Sequence, residues 1–119
     1  MKHLRILVVE ADAAIGPLLE EMLEDLGAVV CAVEVDIAKA VSAAARCHPD
    51  LMIVDVAVIE AILSNGQIPC VFVTDDNLRK PSLWPGAVLI RKSFRAPEIV
   101  AAIRRAMTGR KRSFADALP

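Results

Sequence analysis

The chain has 119 residues, of which 55% are hydrophobic and 3% aromatic, and its formal net charge is −1. One domain of this size can bury about two-thirds of the surface its unfolded chain exposes, on a core of Ala, Val, Leu and Ile, so it needs no staples. Acids and bases nearly cancel, and no apolar segment reaches the roughly 18 residues of a membrane span.

The charge is unevenly spread: residues 1–60 hold 11 acids against 4 Lys/Arg, and residues 61–119 hold 4 against 10. That asymmetry suggests an acidic site facing a basic segment more readily than a nucleic-acid surface. Acids arrive by Glu10, so the N-terminus lacks a secretory layout and the reading is cytoplasmic. Cys31, Cys47 and Cys70 are odd in number and lack C-x-x-C spacing. They are read as free, buried thiols in a reducing compartment.

Leu4 to Val9 is a short apolar run that predicts a first buried strand, ending at Glu10-Ala11-Asp12. The period then changes: Ile15, Leu18, Leu19, Met22, Leu23 and Leu26 share one helical face, with Glu20, Glu21, Glu24 and Asp25 opposite. Gly27 closes this helix, and Asp12 is a candidate cap, although Pro17 suits a start nearer Gly16. Ala28 to Val33 predicts a second strand, and Asp36 caps a second helix that carries Ile37, Ala40, Val41, Ala44 and Ala45 and ends before Pro49.

The segment Pro49-Asp50-Leu51-Met52-Ile53-Val54-Asp55 is the most informative. An apolar run without alternation reads as a strand buried on both faces, so Asp55 stands at the tip of a central parallel strand. Val58, Ile59, Ile62 and Leu63 suggest a brief helix stopped by Asn65-Gly66, and Cys70 to Thr74 gives a fourth strand. Pro81, Pro85 and Trp84 leave room only for a short helix before a fifth strand at Ala87 to Ile90. Pro97 opens a last helix, with Ile99, Val100, Ile103 and Met107 inward and Gly109 at its end. Strands alternating with helices predict an α/β, doubly wound, five-stranded parallel sheet.

In such a sheet the strand tips lie at one edge, so Glu10, Asp55, Thr74 and Lys92 should converge although they are far apart in sequence. Carboxylates beside a hydroxyl and an ammonium can hold Mg²⁺, through Glu10 and Asp55 and with Asp12 as a further candidate. They can also make Asp55 a nucleophile toward phosphorus while Lys92 neutralises the transferring oxygens.

The chain resembles the receiver domains of two-component response regulators, of which the bacterial chemotaxis response regulator is the minimal form. The resemblance covers residues 4–108 and rests on Ile6-Leu7-Val8-Val9-Glu10, Leu26-Gly27, residues 49–55, Ile68-Pro69-Cys70-Val71-Phe72-Val73-Thr74 and Lys92-Ser93-Phe94. It implies a flavodoxin-like sheet of strand order 2-1-3-4-5 between five helices. It also implies Asp55 at the phosphoacceptor position, Glu10 at the first acidic-pair position, Thr74 at the hydroxyl that follows the phosphoryl group and Lys92 at its lysine partner. The implied partners are a histidine kinase or phosphotransfer protein and a downstream protein.

Departures from the family accompany these matches. Ala11 stands where the second acid, a direct Mg²⁺ ligand, is usual, and losing even an outer-shell group costs about 10- to 100-fold in metal affinity, so Mg²⁺ binding is expected to be weak or absent. Ser93 replaces a proline preceded by a cis bond; without proline, cis costs about 2.5–4 kcal/mol, so a trans Lys92–Ser93 bond is expected. Leu89 replaces the aromatic switch. Only 19 positions separate Asp55 from Thr74, about a third fewer than in the resemblance, with shortened helices 3 and 4 and a missing loop carbonyl at Ala57.

The expected organisation is a receiver domain over residues 1–109 and a basic tail over 110–119, with no output domain. The leading expectation is a non-enzymatic, stand-alone receiver that takes a phosphoryl group on Asp55 in phosphorelay signalling. The rival is a pseudo-receiver that docks proteins without phosphorylation. A small phosphatase is a third reading, and it lacks an evident second acid to protonate the leaving group. His3, His48 and Cys47 lack the companions of a zinc site. Arg110-Lys111-Arg112, with Arg104 and Arg105, is read as charge at a helix end rather than a nucleic-acid contact.

Overall fold

The computed structural model describes residues 2–56, 68–74 and 88–108. In chain order these hold β1 (Arg5–Val9), α1 (Ile15–Asp25), β2 (Val29–Glu34), α2 (Ile37–Cys47), β3 (Leu51–Asp55), β4 (Cys70–Thr74), β5 (Val88–Arg91) and α3 (Ala96–Thr108). All neighbouring strands run parallel, in the order β2-β1-β3-β4-β5. This is the doubly wound, flavodoxin-like sheet that the alternation and the resemblance predict. The brief helix expected near 58–63, the carbonyl of Ala57, the segment around Trp84 and the tail at 110–119 lie outside the described residues.

The sheet forms where the sequence is most continuously apolar. Every residue of β3 is buried, as a central strand covered on both faces requires. Alternate side chains then sort into two cores. Ile6, Val8, Leu51, Ile53, Val71 and Val73 join Leu19 and Leu23 of α1 and Ile99 and Ile103 of α3. Leu7, Val9, Met52, Val54 and Phe72 face Ala40 and Ala43 of α2. Small alanines let α2 approach closely, and the period-two alternation of the pleat makes each strand serve both layers.

Helix ends follow local chemistry. Asp36 accepts from the amides of Ala38 (2.8 Å) and Lys39 (3.4 Å), capping α2 as its residue type predicts. Its other end closes at His48, whose left-handed φ of 49° ends the helix while its amide still bonds Ala44. Helix α1 has no side-chain cap at Ala14; instead Asp12 Oδ1 accepts from the Ala14 amide at 2.9 Å, and the Asp12 carbonyl accepts from Ile15 and Gly16. Pro17 falls in the first turn, where a missing amide donor costs nothing. Gly16 is required by packing, since a Cβ there would meet Val33 Cγ1 at 2.8 Å.

At the edge of the sheet opposite the strand tips, Arg5 ties three elements. Its amide donates to Asp50 Oδ2 and its guanidinium Nε to the Cys47 carbonyl, both at 2.9 Å, while the Asp50 amide returns to the Arg5 carbonyl at 2.8 Å.

The expectation of three free thiols is corrected for two of them. Cys31 of β2 and Cys47 at the end of α2 form a disulfide, with Cα atoms 6.1 Å apart. Their separation of 16 residues carries no recognisable motif; packing of α2 on the edge strand brings them together. Among the described residues only Cys70 is a free thiol. Burial pushes it far above its ordinary value, so it stays protonated.

Candidate functional site

Glu10, Asp55, Thr74 and Lys92 meet at one edge of the sheet, as the topology demands of residues at parallel strand tips. Each is the terminal residue of its strand or follows it directly. The ladder pairs Val9 with Val54 and Asp55 with Val73, which aligns the tips. Backbone bonds continue beyond the strands: the Glu10 amide donates to Glu34 O at 2.9 Å, and the Lys92 amide to Thr74 O at 2.8 Å.

The Lys92 ammonium lies between the two acids, 2.8 Å from Glu10 Oε1 and 3.1 Å from Asp55 Oδ2. The carboxylates are almost fully enclosed, with side-chain exposures of 1% for Glu10 and 5% for Asp55, whereas 19% of the Lys92 side chain reaches solvent. Such enclosure makes the ammonium the principal compensation for the buried negative charge. The Lys92–Ser93 peptide is trans. Lys92 nonetheless reaches both acids, because Phe94 is buried in the core beneath the turn and its amide bonds the Arg91 carbonyl at 3.1 Å.

Two further groups were not legible in residue type. The Ala11 amide donates to Asp55 Oδ2 at 3.3 Å, and the Asp12 amide to Glu10 Oε1 at 3.0 Å. Backbone donors are silent in a sequence, and the only cue is that residues 11 and 12 follow a strand tip. Ala11 thus contributes a main-chain donor where a carboxylate was looked for. The Asp12 side chain is exposed and engaged in the turn before α1.

Burial, followed by the hydrogen-bonded Asp55, pushes the Glu10 carboxyl above its ordinary value; Lys92 and the Asp12 amide pull it partly back. Burial works against the charged form of Lys92, but its hydrogen bonds and attraction to Glu10 and Asp55 outweigh this and raise it. The ammonium is therefore charged throughout the physiological range.

Among the described residues two buried side-chain polar atoms have no hydrogen-bond partner: Glu10 Oε2 and Thr74 Oγ1. An unpaired buried oxygen costs about 1–3 kcal/mol, and both orphans sit at the edge where the acids meet. Oxygen donors suit a hard cation such as Mg²⁺, which binds through one or two carboxylates with water and phosphate oxygens completing its shell. Among the described residues, however, no group of three or more acidic, His or Cys side chains could hold a metal ion. Glu10 and Asp55 would be the protein ligands, and the cation would compete with the Lys92 ammonium for them.

No protein-family model matches the chain, and no curated protein does. The likeness is to solved structures. The receiver domain of the PhyR response regulator from Erythrobacter litoralis is 21% identical, with a TM-score of 0.70 over 91% of this chain and 92% of that one. The signal receiver domain of a modulated diguanylate cyclase from Desulfovibrio desulfuricans is 22% identical, with a TM-score of 0.70 over 90% of this chain and 95% of that one. For the response regulator PhyR from Brucella abortus the identity is 20% and the TM-score 0.71, over 92% of this chain but 49% of that protein. The chain therefore has the fold of response regulator receiver domains, and spans about half the length of this last relative. Among the described residues no helix is long and apolar enough to cross a membrane.

Proposed function

We propose that the protein is a signalling receiver module in which Asp55 accepts a phosphoryl group from a histidine kinase or phosphotransfer protein. The observation that supports this most is the Lys92 ammonium 3.1 Å from Asp55 Oδ2, at the tip of a wholly buried strand. In the transfer, a carboxylate oxygen of Asp55 bonds to phosphorus as the donor's N–P or O–P bond breaks. Lys92 then neutralises the oxygens of the acquired group, and the Thr74 hydroxyl donates a hydrogen bond to one of them, ending its isolation. Mg²⁺, held by Glu10 and Asp55, would add positive charge where phosphoryl oxygens gather.

Such a module is not an enzyme in its own right; it carries a signal to a downstream protein, in the cytoplasm. The experiment is intact-protein mass spectrometry after exposure to acetyl phosphate and Mg²⁺. One phosphoryl adduct on the wild type and none on Asp55→Asn is expected. An adduct that survives the substitution overturns the assignment of Asp55.

A second reading is favoured by one feature: Lys92 already compensates both acids, and Ala11 adds none. A resting site balanced in this way could serve a receiver that docks partners without phosphorylation. Absence of any adduct, with a folded protein, would select this reading.

A further inference from the structure

The disulfide between Cys31 and Cys47 lies away from the acidic site, with the Cys47 carbonyl bonded by Arg5 at the opposite edge of the sheet. β2 is an edge strand. Its register against β1 steps from Ile6 opposite Val30 to Leu7 opposite Ala32, so Cys31 is the extra residue of a bulge, without a Cα partner on β1. Bulges free a residue from the ladder and re-aim its side chain. Here the freed residue packs on the α2 side of the sheet, and Cys47 is the last residue of α2. Both cysteines are only partly buried.

We infer that Cys31 and Cys47 form a reversible thiol–disulfide exchange site, open to a small dithiol or a dithiol protein while the domain stays folded. This rests on the cytoplasmic part of the function proposed above, because disulfides in that reducing compartment are typically transient and redox-sensing. In the reducing direction, one thiolate of the dithiol attacks Sγ of Cys31 or Cys47 and breaks the bond. A mixed disulfide forms and the other cysteine leaves as a thiolate. The dithiol's second thiolate then attacks the mixed disulfide and closes its own disulfide, releasing the first cysteine. Two electrons pass from dithiol to protein, and the two thiolates take up protons from water. Cys70, partly buried like the other two, is set apart by its contacts: its thiol donates to the Ile68 carbonyl at 3.3 Å, and desolvation raises it above its ordinary value, which disfavours the reacting thiolate.

The bridge closes a loop that holds the turn between β2 and α2 and most of α2. Reduction should loosen this corner without removing the core, since the ladders joining β1, β3, β4 and β5 and the apolar cluster under α1 and α3 contain neither cysteine.

The test uses the full chain, exposed first to oxidised glutathione and then to dithiothreitol in buffer without denaturant, with maleimide trapping and intact-mass readout. Before reduction, unfolding in urea should expose one alkylatable thiol. After reduction, the folded protein should take two alkyl groups, and its Tm should fall by about 10 °C or somewhat more. Cys31→Ser, and separately Cys47→Ser, should show no dithiothreitol-dependent change in Tm. Three alkylatable thiols after the oxidising step would show that the bond does not form and overturn the inference. Alkylation that needs urea even after dithiothreitol would overturn it too, by showing a sealed structural bond. Neither readout involves phosphoryl transfer, so the inference and the function proposed above can fail separately.

Discussion

Removing the ammonium that lies between two enclosed acids should produce a stability defect that depends on pH in a defined direction. In Lys92→Met, Glu10 and Asp55 lose the partner now 2.8 and 3.1 Å away. Stripping one member from a buried ion pair costs about 3–5 kcal/mol. Because the Lys92 side chain is 19% exposed, water relieves part of this, and about 2–4 kcal/mol is expected at pH 7. With a urea m-value of about 2 kcal/mol/M, the midpoint should fall by roughly 1–2 M. Glu10 already titrates above its ordinary 4.5, so the stability associated with its neutral form is complete below pH 4.5 and vanishes as pH climbs through the raised value. Without Lys92 that value rises further. The variant's deficit should thus be small near pH 4 and widen toward pH 8. The raised Lys92 value works at the other end: its contribution is present below 10.5 and disappears as pH rises through the raised value, so the wild type alone should weaken at alkaline pH. Urea titrations of both proteins between pH 4 and 8, followed by circular dichroism, provide the measurement. A midpoint difference below about 0.3 M at pH 7, or one unchanged with pH, would refute the assignment of Lys92 as the compensating charge.

Thr74→Val replaces a buried hydroxyl that has no partner with a methyl of similar shape, so thermal unfolding should show a gain of about 1 kcal/mol, while phosphoryl adduct formation slows. Ala11→Asp should tighten Mg²⁺ binding at least roughly tenfold, read by calorimetric titration; identical titrations would show that position 11 does not face the acids. Gly16→Ala should destabilise by about 1 kcal/mol despite its better helix propensity, because the new Cβ meets the stiff Val33 at 2.8 Å. Adding Val33→Ala should recover part of that loss beyond the effect expected from the two single changes. Asp36→Ala should cost about 1 kcal/mol by removing the cap of α2, measured as a lower urea midpoint.

The buried strands were legible because their apolar runs admit few alternatives. Cys70 to Thr74 has the expected bounds, and the other described elements begin and end within two residues of expectation. Convergence of Glu10, Asp55, Thr74 and Lys92 followed from parallel topology alone. What escaped was carried by groups without a sequence signature, the amides of Ala11 and Asp12; the role of Asp12 before α1 was legible in its residue type, although its side chain bonds the Ala14 amide ahead of the helix rather than capping the helix boundary itself. The cysteines were misread because reading them as thiols used spacing along the chain, whereas the bond depends on a bulge in β2, and a bulge leaves the run of apolar residues unchanged.

The ties made by Arg5 give the site a datum at the far side of the molecule. β1 and β3 leave that knot together and each reaches the opposite edge about five residues later, so the separation of Glu10 and Asp55 is measured off from a shared origin roughly 15 Å away. Parallel strands have no hairpin between them to set their offset, and here a guanidinium and a carboxylate help to supply what a turn would otherwise provide. Side chains at the tips can therefore be exchanged without disturbing the alignment. A one-residue slip at the knot, by contrast, would move one acid by about 3.3 Å and turn it to the other face of the sheet, leaving every residue of the site in place in the sequence but the site itself dismantled.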